Sequence, residues 1–278
     1  GQRRAQFVID IYIKLSAGVK LPFSAPRLAE HKMGKQKVYF FDTYQYTRWF
    51  PNSFQWEFCP GDVTYVPKYP SIVKSRPLMS DNENSVILKL DKVRHFIFVN
   101  DKKKFAEKKD MIIFRGKVKG KPSRKKFMEM YFGNPMCDLG DVSKNTPDPV
   151  AWQTEKKTIR EHLNYKFIMA LEGNDVASNL KWVMSSNSIA IMPRPTCETW
   201  FMEGMLIPDY HYIEIKPDFS DLEEKANYYI KHIDKAQEII NHAHEYVAQF
   251  KDRNREELIS LLVLDKYFRV TGQIKDEI

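Results

Sequence analysis

Residues 166–193 read KFIMALEGNDVASNLKWVMSSNSIAIMP and combine two apolar runs with a polar turn and a helical segment between them. The first run ends at Gly173, a helix is expected from about residue 177, and the second run starts at Ser188. Short apolar runs of this kind are typical of strands buried on both faces of a parallel sheet. A strand, a polar turn, a helix and a second strand build a crevice at the carboxyl ends of the strands, where α/β proteins bind ligands.

The same alternation extends in both directions along the chain and predicts an α/β fold with an open doubly wound sheet. Further strands are expected at residues 38–41, 86–90, 95–99, 111–114 and 211–215. Helices are expected at residues 123–131, 154–162, 176–185 and 222–250, with a short terminal helix at 258–268. Ser220 and Glu223 have the spacing of a capping box at the start of the long helix.

The first hundred residues differ from the rest in being rich in prolines and aromatic side chains, as in WFPNSFQWEFCPGDVTYVPKYP at 49–70. Irregular stretches of this length in a compact protein more often carry functional residues than serve only as connections. We therefore place a domain boundary in the charged stretch 101–110. This gives an N-terminal domain of residues 1–105 and a C-terminal domain of residues 106–254, with segment 255–278 packing back on the first.

The composition is that of an ordinary soluble globular protein, with 43% hydrophobic and 29% charged residues in 278. No window approaches the roughly 18–20 continuous apolar residues that a membrane-spanning helix needs. The three cysteines have no CxxC pair, which fits a reducing compartment better than a disulfide framework or a zinc site. The net charge of +8 favours an anionic partner: a nucleic acid, an acidic membrane surface or a phosphorylated small molecule.

The segment MIIFRGKVKGKPSRKKF, residues 111–127, is a strand that leads through a basic, glycine-containing loop into a helix. Backbone N–H groups, a favourable helix dipole and cationic side chains are what a diphosphate needs. A solvated basic face or a nucleic-acid patch is the alternative, because the run 101–109 is also basic. GxGxxG and Walker A motifs are absent from the sequence, so the common dinucleotide and P-loop assignments are not supported.

Two further segments place polar residues after strands. Residues 173–181 put small and polar side chains at or beside a helix start, and YHYIEIKPDFSDLEEK at 210–225 puts Asp218 and Ser220 before the long helix. Ordinary helix capping explains many such residues equally well.

Taken together and in this order, the motifs FRG, YKFIMALEGNDVASNLKW with SSNSIAIMP, and ETWFMEG with YHYIEIKPDFSDLEEK resemble glycosyltransferase family 90. The segments EGNDVASNLKW and VPKYPSIVKSRP are most similar to the bacterial lipopolysaccharide core branch of this family. The resemblance covers about residues 38–250. It implies a GT-B fold, in which two Rossmann-like doubly wound domains face a central cleft, the C-terminal one binding a UDP-sugar and the N-terminal one binding the acceptor.

The resemblance assigns the donor site residue by residue. Arg115 matches the family arginine at the diphosphate, Gly116 lets the backbone approach, and Asp218, Ser220 and, more loosely, Glu198 match the segment near the nucleoside. Glu172 and Asn179 stand where eukaryotic relatives carry arginines, so Lys117 and Lys181 are taken as substitutes. The expected donor-binding set is Arg115, Gly116, Lys117, Gly173, Asn174, Asp175, Ser178, Asn179, Lys181, Glu198, Asp218 and Ser220.

Family members of this kind invert the anomeric centre, and such a displacement needs a carboxylate that accepts the proton of the acceptor hydroxyl. Asp42, in VYFFDTY, stands where the base follows a strand in eukaryotic members, and Asp62, in PGDVTYVP, is the second candidate. For Asp42 a helix cap is the local alternative. A metal or other cofactor is not expected, because lysine, arginine and helix dipoles can carry its charge.

The resemblance therefore implies transfer of glucose or galactose from a UDP-sugar to a saccharide, the heptose inner core of lipopolysaccharide. It also implies a cytoplasmic enzyme that contacts the anionic inner face of the inner membrane peripherally. Nucleic acid is not an expected partner. The alternatives are a basic nucleic-acid-binding protein and a catalytically inactive binding protein of GT-B-like fold.

Overall fold

The computed structural model describes residues 8–144 and 149–275, and it contains eight α-helices that we number in chain order. Their bounds are α1 Lys37–Thr47, α2 Lys92–His95, α3 Pro122–Tyr131, α4 Ile159–His162, α5 Leu180–Met184, α6 Leu222–Lys231, α7 Ile233–Ala248 and α8 Arg253–Val270. A helical turn at residues 8–12 lies at the start of the described chain.

The described residues also form ten strands. Their bounds are β1 Glu57–Cys59, β2 Ser71–Val73, β3 Ser75–Pro77, β4 Ser85–Ile87, β5 Lys109–Gly116, β6 Cys137–Asp141, β7 Tyr165–Met169, β8 Ile189–Met192, β9 Cys197–Thr199 and β10 Ile213–Glu214.

The described chain divides into two compact units. The first comprises residues up to Arg94 with segments 196–204 and 250–275, and the second comprises residues 95–195 and 205–249. The division falls earlier than the sequence-based boundary at residue 105. Segment 255–278, as far as the structure describes it, is grouped with the first unit, and its residues 276–278 lie outside the described part, as do residues 1–7.

The second unit is built on a five-stranded sheet in the order β10-β8-β7-β5-β6, and every pairing in it is parallel. Numbered within the unit, this order is 2-1-3-4-5, the doubly wound arrangement of Rossmann-like α/β proteins. The α/β class with a parallel sheet, predicted from the alternating runs, is confirmed. The mutual arrangement of two domains that a GT-B fold requires stays a prediction.

One face of this sheet packs on α3, α6 and α7. Phe114 and Phe167 from the sheet, Phe127 from α3 and Phe219 from the loop before α6 are almost wholly buried in one apolar cluster. Side chains alternate between faces along a strand, so Arg115 points to the face opposite Phe114. Each large apolar side chain buried in this way contributes about 1.5–3 kcal/mol, which fixes the strands that position the loops.

The first unit holds a three-stranded parallel sheet, β1-β2-β4, and a separate antiparallel pair, β3-β9. Helix α8 belongs to this unit: the Tyr267 hydroxyl donates to the carbonyl of Pro70 at 2.9 Å and accepts from the backbone N–H of Glu57 at 3.1 Å. These bonds hold the chain between β1 and β2 against α8. The carboxyl ends of three parallel strands therefore share one edge in this unit as well.

Several local predictions were wrong. VYFF at 38–41 is part of α1, and in HFIFV at 95–99 the first residue ends the short α2 and the other four are irregular chain. The predicted helix 222–250 is two helices that meet at His232, and the terminal helix begins at Arg253, earlier than predicted, because Asp252 caps it. The capping box is also absent: Asp221 precedes α6, and the Ser220 hydroxyl donates to Asp218 instead.

Strands β1, β2, β3, β6 and β9 were not predicted. Most span three residues, and the five-residue β6 reads CDLGD, so they carry too few apolar residues for a periodic signal. Among the described helices, none has both the length and the apolarity that crossing a bilayer would require.

Candidate functional site

The carboxyl edge of the five-stranded sheet opens between β5 and β7. The chain passes from β5 to β6 on one side, then returns to β7 on the other side of β5. The loops that follow β5 and β7 therefore diverge from neighbouring strands, which is where open α/β sheets form a ligand crevice. Residues 116–121 and 171–175 form this pair of loops, which we call the crevice loops.

Arg124, in the first turn of α3, ties the crevice loops together. Its guanidinium donates to the carbonyl of Lys117 at 3.0 Å, that of Leu171 at 2.7 Å and that of Glu172 at 3.0 Å. One planar fork of donors thus fixes the backbone of both loops at once. Sequence reasoning missed this residue: SRKK offers three neighbouring cations, and nothing local distinguishes the one that turns inward.

Two predicted glycines permit this close approach. A Cβ on Gly116 would lie 2.6 Å from Cζ of Phe114 and 3.3 Å from a terminal nitrogen of Arg124. A Cβ on Gly173 would lie 3.1 Å from the other terminal nitrogen of Arg124. The structure therefore brings Gly116 and Gly173 together around one guanidinium, which lies close to both glycines.

The rim of the crevice loops is cationic and polar. Lys117 is exposed, Lys121 donates to the side chain of Asn174, and Ser178 is exposed where the chain turns toward α5. Lysine ammonium groups beside backbone amides at the start of α3 suit an anion. Lys117 and Asn174 thus both lie on the crevice loops.

Arg115 lies on the opposite face of the sheet. It donates to the carbonyls of Phe114 at 2.9 Å and Asp138 at 2.8 Å, and it forms an ion pair with the Asp138 carboxylate. The Tyr165 hydroxyl also donates to that carboxylate. Burial would raise the pKa of Asp138, but the hydrogen bonds from Tyr165 and Arg115 outweigh it and lower this pKa. The structure therefore does not bring Arg115 to the crevice loops.

Three other residues that were predicted to bind the sugar donor instead make contacts inside the protein. Asn179 donates to the carbonyl of Met169 at 3.0 Å and so fastens α5 to the end of β7. Lys181 is fully buried, with its ammonium nitrogen 6.0 Å from the ring centre of Phe96. Asp175 is buried, and its carbonyl accepts from the N–H of Gly173 at 3.0 Å, which closes the turn.

Asp218 and Ser220 form a separate exposed turn after β10. The carboxylate of Asp218 accepts from the backbone and the hydroxyl of Ser220, at 3.1 and 2.8 Å. These two hydrogen bonds lower the pKa of Asp218. Between them, Phe219 has a positive φ of 66° and is fully buried, and its carbonyl accepts from the Tyr131 hydroxyl at 2.6 Å. This turn is anchored to α3 but is not one of the crevice loops.

Glu198 lies in the first unit, on β9. Its carboxylate accepts from Arg76 on β3 at 2.8 and 2.7 Å, and both side chains are buried. The pair links the two strands of the antiparallel ribbon. Glu198 thus belongs to the first unit, whereas the crevice loops belong to the second.

The setting predicted for Asp42 is wrong, because Asp42 lies in the middle of helix α1 rather than after a strand. It is buried, and it accepts from the backbone N–H of Lys92 at 3.1 Å and lies 3.3 Å from the Lys92 ammonium. Burial raises the pKa of Asp42, and the Lys92 ammonium opposes that shift.

Asp62 lies at the carboxyl edge of the first unit's parallel sheet. It follows β1 and forms an ion pair with Lys74, which follows β2, and a 3.5 Å contact with Arg94 of the segment after β4. Its side chain retains about a fifth of its exposure, at 21%. Asp62 is the more exposed of the two aspartates, because the side chain of Asp42 is only 9% exposed.

Within residues 8–144 and 149–275, His, Cys, Asp and Glu side chains do not converge in groups of three that could hold a metal ion.

Comparison with known proteins gives two matches. The sequence model of the glycosyl transferase family 90 matches residues 84–265. The O-glucosyltransferase LpsA of Dichelobacter nodosus is similar to this chain, with 39% identity over 261 residues that cover 94% of this chain and 81% of that protein. The family match spans all of the crevice loops, β7, β8 and the turn at 216–221, whereas Asp42 and Asp62 lie before it.

Proposed function

This chain belongs to glycosyl transferase family 90, and from that premise we propose that it moves a hexose from a UDP-sugar to a hydroxyl of a lipopolysaccharide core saccharide, with inversion. Membership makes it a glycosyltransferase. The name of the similar protein, an O-glucosyltransferase, favours glucose as the transferred sugar. The single observation that carries the donor assignment is the pair of crevice loops joined by Arg124 at the switch point of a parallel sheet.

The donor diphosphate binds at the crevice loops in this proposal. Lys117 is exposed on one loop, Asn174 is oriented by Lys121, and Gly116 and Gly173 leave room for the Arg124 guanidinium that holds both loops. When the bond between the anomeric carbon and the diphosphate oxygen breaks, its electron pair stays on the departing diphosphate. Fixed cations and amides at that position stabilise this charge, the task that a metal ion performs in other enzymes.

The acceptor is activated by Asp62. A lone pair of the acceptor hydroxyl oxygen forms the new bond to the anomeric carbon, and the hydroxyl proton passes to the Asp62 carboxylate. Asp62 supports this role better than Asp42 does, because its carboxylate is partly exposed at a sheet edge while Asp42 is buried within α1. The cations Lys74 and Arg94 both contact the Asp62 carboxylate and hold it in position. A GT-B arrangement, in which the first unit holds the acceptor and the second the donor, belongs to the same proposal.

The donor test is a thermal-shift series with UDP, GDP, CMP and ADP. UDP is expected to raise the melting temperature most, and Lys117→Ala is expected to reduce that shift. The matched control is Lys125→Ala, a lysine on the exposed side of α3 that is 56% exposed. Equal shifts with all four nucleotides, or an unchanged UDP shift in Lys117→Ala, would contradict the donor site.

The catalytic test compares Asp62→Asn with Asp42→Asn in transfer from UDP-glucose and UDP-galactose to a deacylated core oligosaccharide. Loss of a general base is expected to lower kcat by about 10²–10⁴-fold in Asp62→Asn with the KM for donor unchanged. In Asp42→Asn the carboxamide oxygen can still accept the hydrogen bond from Lys92. This variant is therefore expected to keep most of its activity. The reverse order of effects would return the base to Asp42. A protein that UDP stabilises but that transfers no sugar would be a binding protein.

We further propose that α1 supports peripheral contact with an anionic membrane surface. Phe41 and Tyr44 are 59% and 49% exposed, and Arg48 and Lys37 follow the same helical spacing; Trp49, 68% exposed, lies against Arg48. The helix buries Tyr39 and Tyr46 together with Asp42, Thr43 and Thr47, so Phe41 and Tyr44 are the aromatic residues on its exposed side. Aromatic rings flanked by cations suit the headgroup region of anionic lipids.

Vesicle co-sedimentation tests this contact. Binding to vesicles that contain phosphatidylglycerol, weakened by salt and by the double change Phe41→Ser with Tyr44→Ser, is expected. Tyr65→Ser, which removes an aromatic ring 59% exposed elsewhere in the same unit, is the control. Equal sedimentation of the double variant and the intact protein would exclude α1 as the contact.

A further inference from the structure

A groove of about 550 Å³ lies in the first unit, and all the residues that line it belong to that unit. It opens between segment 30–36, the first turn of α1 and the end of β1, and its size is within the range of roughly 300–1,000 Å³ usual for small-molecule sites. None of the residues predicted from the sequence to bind or act on substrate lines it. We call it the aromatic groove.

The wall of the aromatic groove is a fixed stack of rings. Phe58 stacks on the buried Trp56 at 5.1 Å and 8°, and His31 meets these two rings edge-on at 5.0 and 5.5 Å. Phe40 stacks on His31 at 5.1 Å. The imidazole is held by a 2.9 Å hydrogen bond to the hydroxyl of Thr43. The rings are therefore packed before any ligand arrives, which lowers the entropic cost of binding.

The chemistry of this wall favours a sugar ring. The axial C–H groups of a pyranose carry partial positive charge and pack on the electron-rich face of an aromatic ring. Gln36, Glu57 and Lys35 line the same groove and supply an amide, a carboxylate and an ammonium group for the hydroxyls. Hydrogen-bonding side chains beside packed rings are the composition of a pocket that orients a polar ligand with an apolar face.

The charge of the aromatic groove argues against a second nucleotide site. Its lining contains two carboxylates, Glu30 and Glu57, and two ammonium groups, Lys32 and Lys35. This balance offers a diphosphate no net attraction, in contrast to the cationic rim of the crevice loops. A neutral saccharide is the ligand class that fits both the rings and the balanced charge.

The groove adjoins the start of the turn that carries the candidate base. Pro60 lines it, and the next two residues are Gly61 and Asp62. Gly61 has a positive φ of 103°, and a Cβ placed on it would lie 3.9 Å from the side-chain oxygen of Gln36, which also lines the groove. The turn that carries Asp62 therefore starts at the groove wall.

We propose that the aromatic groove binds a neutral pyranose unit of the acceptor and so positions its hydroxyl for Asp62. This rests on the proposed function, in which Asp62 accepts the hydroxyl proton. It adds the place where the acceptor binds and the class of group that binds there.

The experiment measures affinity directly, by isothermal titration and saturation-transfer NMR with a deacylated lipopolysaccharide core oligosaccharide and no donor. Phe40→Ala is expected to weaken binding about tenfold, and Gln36→Ala, an exposed side chain, to weaken it severalfold without affecting folding. The control is Met33→Ala, a 51% exposed apolar residue of the same segment that does not line the groove. Its affinity is expected to be unchanged.

In transfer assays Phe40→Ala and Gln36→Ala should raise the KM for the oligosaccharide. Their kcat, and their rate of UDP-glucose hydrolysis without acceptor, should equal those of the unaltered protein. Equal affinity in all four proteins, or no affinity in any, overturns the groove assignment even if sugar is transferred. Conversely, groove-dependent binding without any transfer supports the groove and refutes the enzymatic proposal, so the two failures are distinguishable.

Discussion

Replacing Arg124 by alanine should loosen both crevice loops at once. The change removes charge-assisted hydrogen bonds to three carbonyls, those of Lys117, Leu171 and Glu172. A hydrogen bond that involves a charged group contributes about 1.5–3 kcal/mol, but carbonyls at a sheet edge regain water when the donor is lost. We therefore expect the free energy of unfolding to fall by about 2–3 kcal/mol rather than by the full sum. This corresponds to a fall in melting temperature of roughly 4–10 °C for a chain of this size.

The affinity for UDP should fall as well, because the loops must then be ordered when the diphosphate binds. An ordering cost of about 1.4 kcal/mol would weaken UDP tenfold. Urea denaturation gives the stability change, and titration calorimetry gives the affinity. Arg124→Lys keeps the charge but cannot reach three carbonyls, so it should behave nearly like the alanine variant. Lys125→Ala, one position along the same helix, is the matched control for charge.

The result that would refute this reasoning is an Arg124→Ala protein with unaltered stability and unaltered UDP affinity. The carbonyl contacts would then contribute nothing measurable. A UDP affinity that is low in Arg124→Ala but normal in Arg124→Lys would also contradict it. The positive charge, and not the fork of hydrogen bonds, would then determine the affinity.

Three further predictions concern the same elements. Gly116→Ala should cost about 1–3 kcal/mol of stability in a denaturation series, because its Cβ would lie 2.6 Å from a buried ring; wild-type stability would contradict the close packing. Arg115→Met should lower stability by breaking the ion pair with Asp138 while leaving UDP affinity nearly unchanged in calorimetry, and lost affinity with intact stability would restore Arg115 to the diphosphate. Burial lowers the pKa of His31, so the unfolded chain binds that proton more readily, and stability should fall as pH is lowered through about 6.5 toward 5. Urea titrations at pH 7, 6 and 5 should show a shallower fall in His31→Gln, and identical slopes would show that His31 contributes none of it.

How far the sequence predicts the site can be judged from the crevice loops. The strands before them, MIIF and KFIMAL, are apolar on both faces and could be placed in a parallel sheet from local pattern alone. The same pattern predicted that the strand ends carry Gly116, Lys117, Gly173 and Asn174. The sequence could not say which cation turns inward. That depends on the distance between two loops about fifty residues apart in the chain.

Local pattern failed where burial outweighed propensity. VYFF has the composition of a strand, yet it forms the first turns of α1, because propensity differences are only tenths of a kcal/mol per residue and packing decides between them. The aromatic groove could not be predicted from the sequence either. Its rings come from segment 30–36, α1 and β1, and no spacing along the chain relates them.

By itself the sequence determined the class of the fold and the family: buried runs alternating with amphipathic helices specify a parallel sheet, and the motifs along that sheet specify a glycosyl transferase. Tertiary structure alone decided the strand order, the face on which Arg115 lies and the assembly of the aromatic groove. The physical reason is one of range. Hydrophobic periodicity is written in neighbouring residues, whereas the partner of a charged or aromatic side chain is set by which distant strand comes to lie beside it.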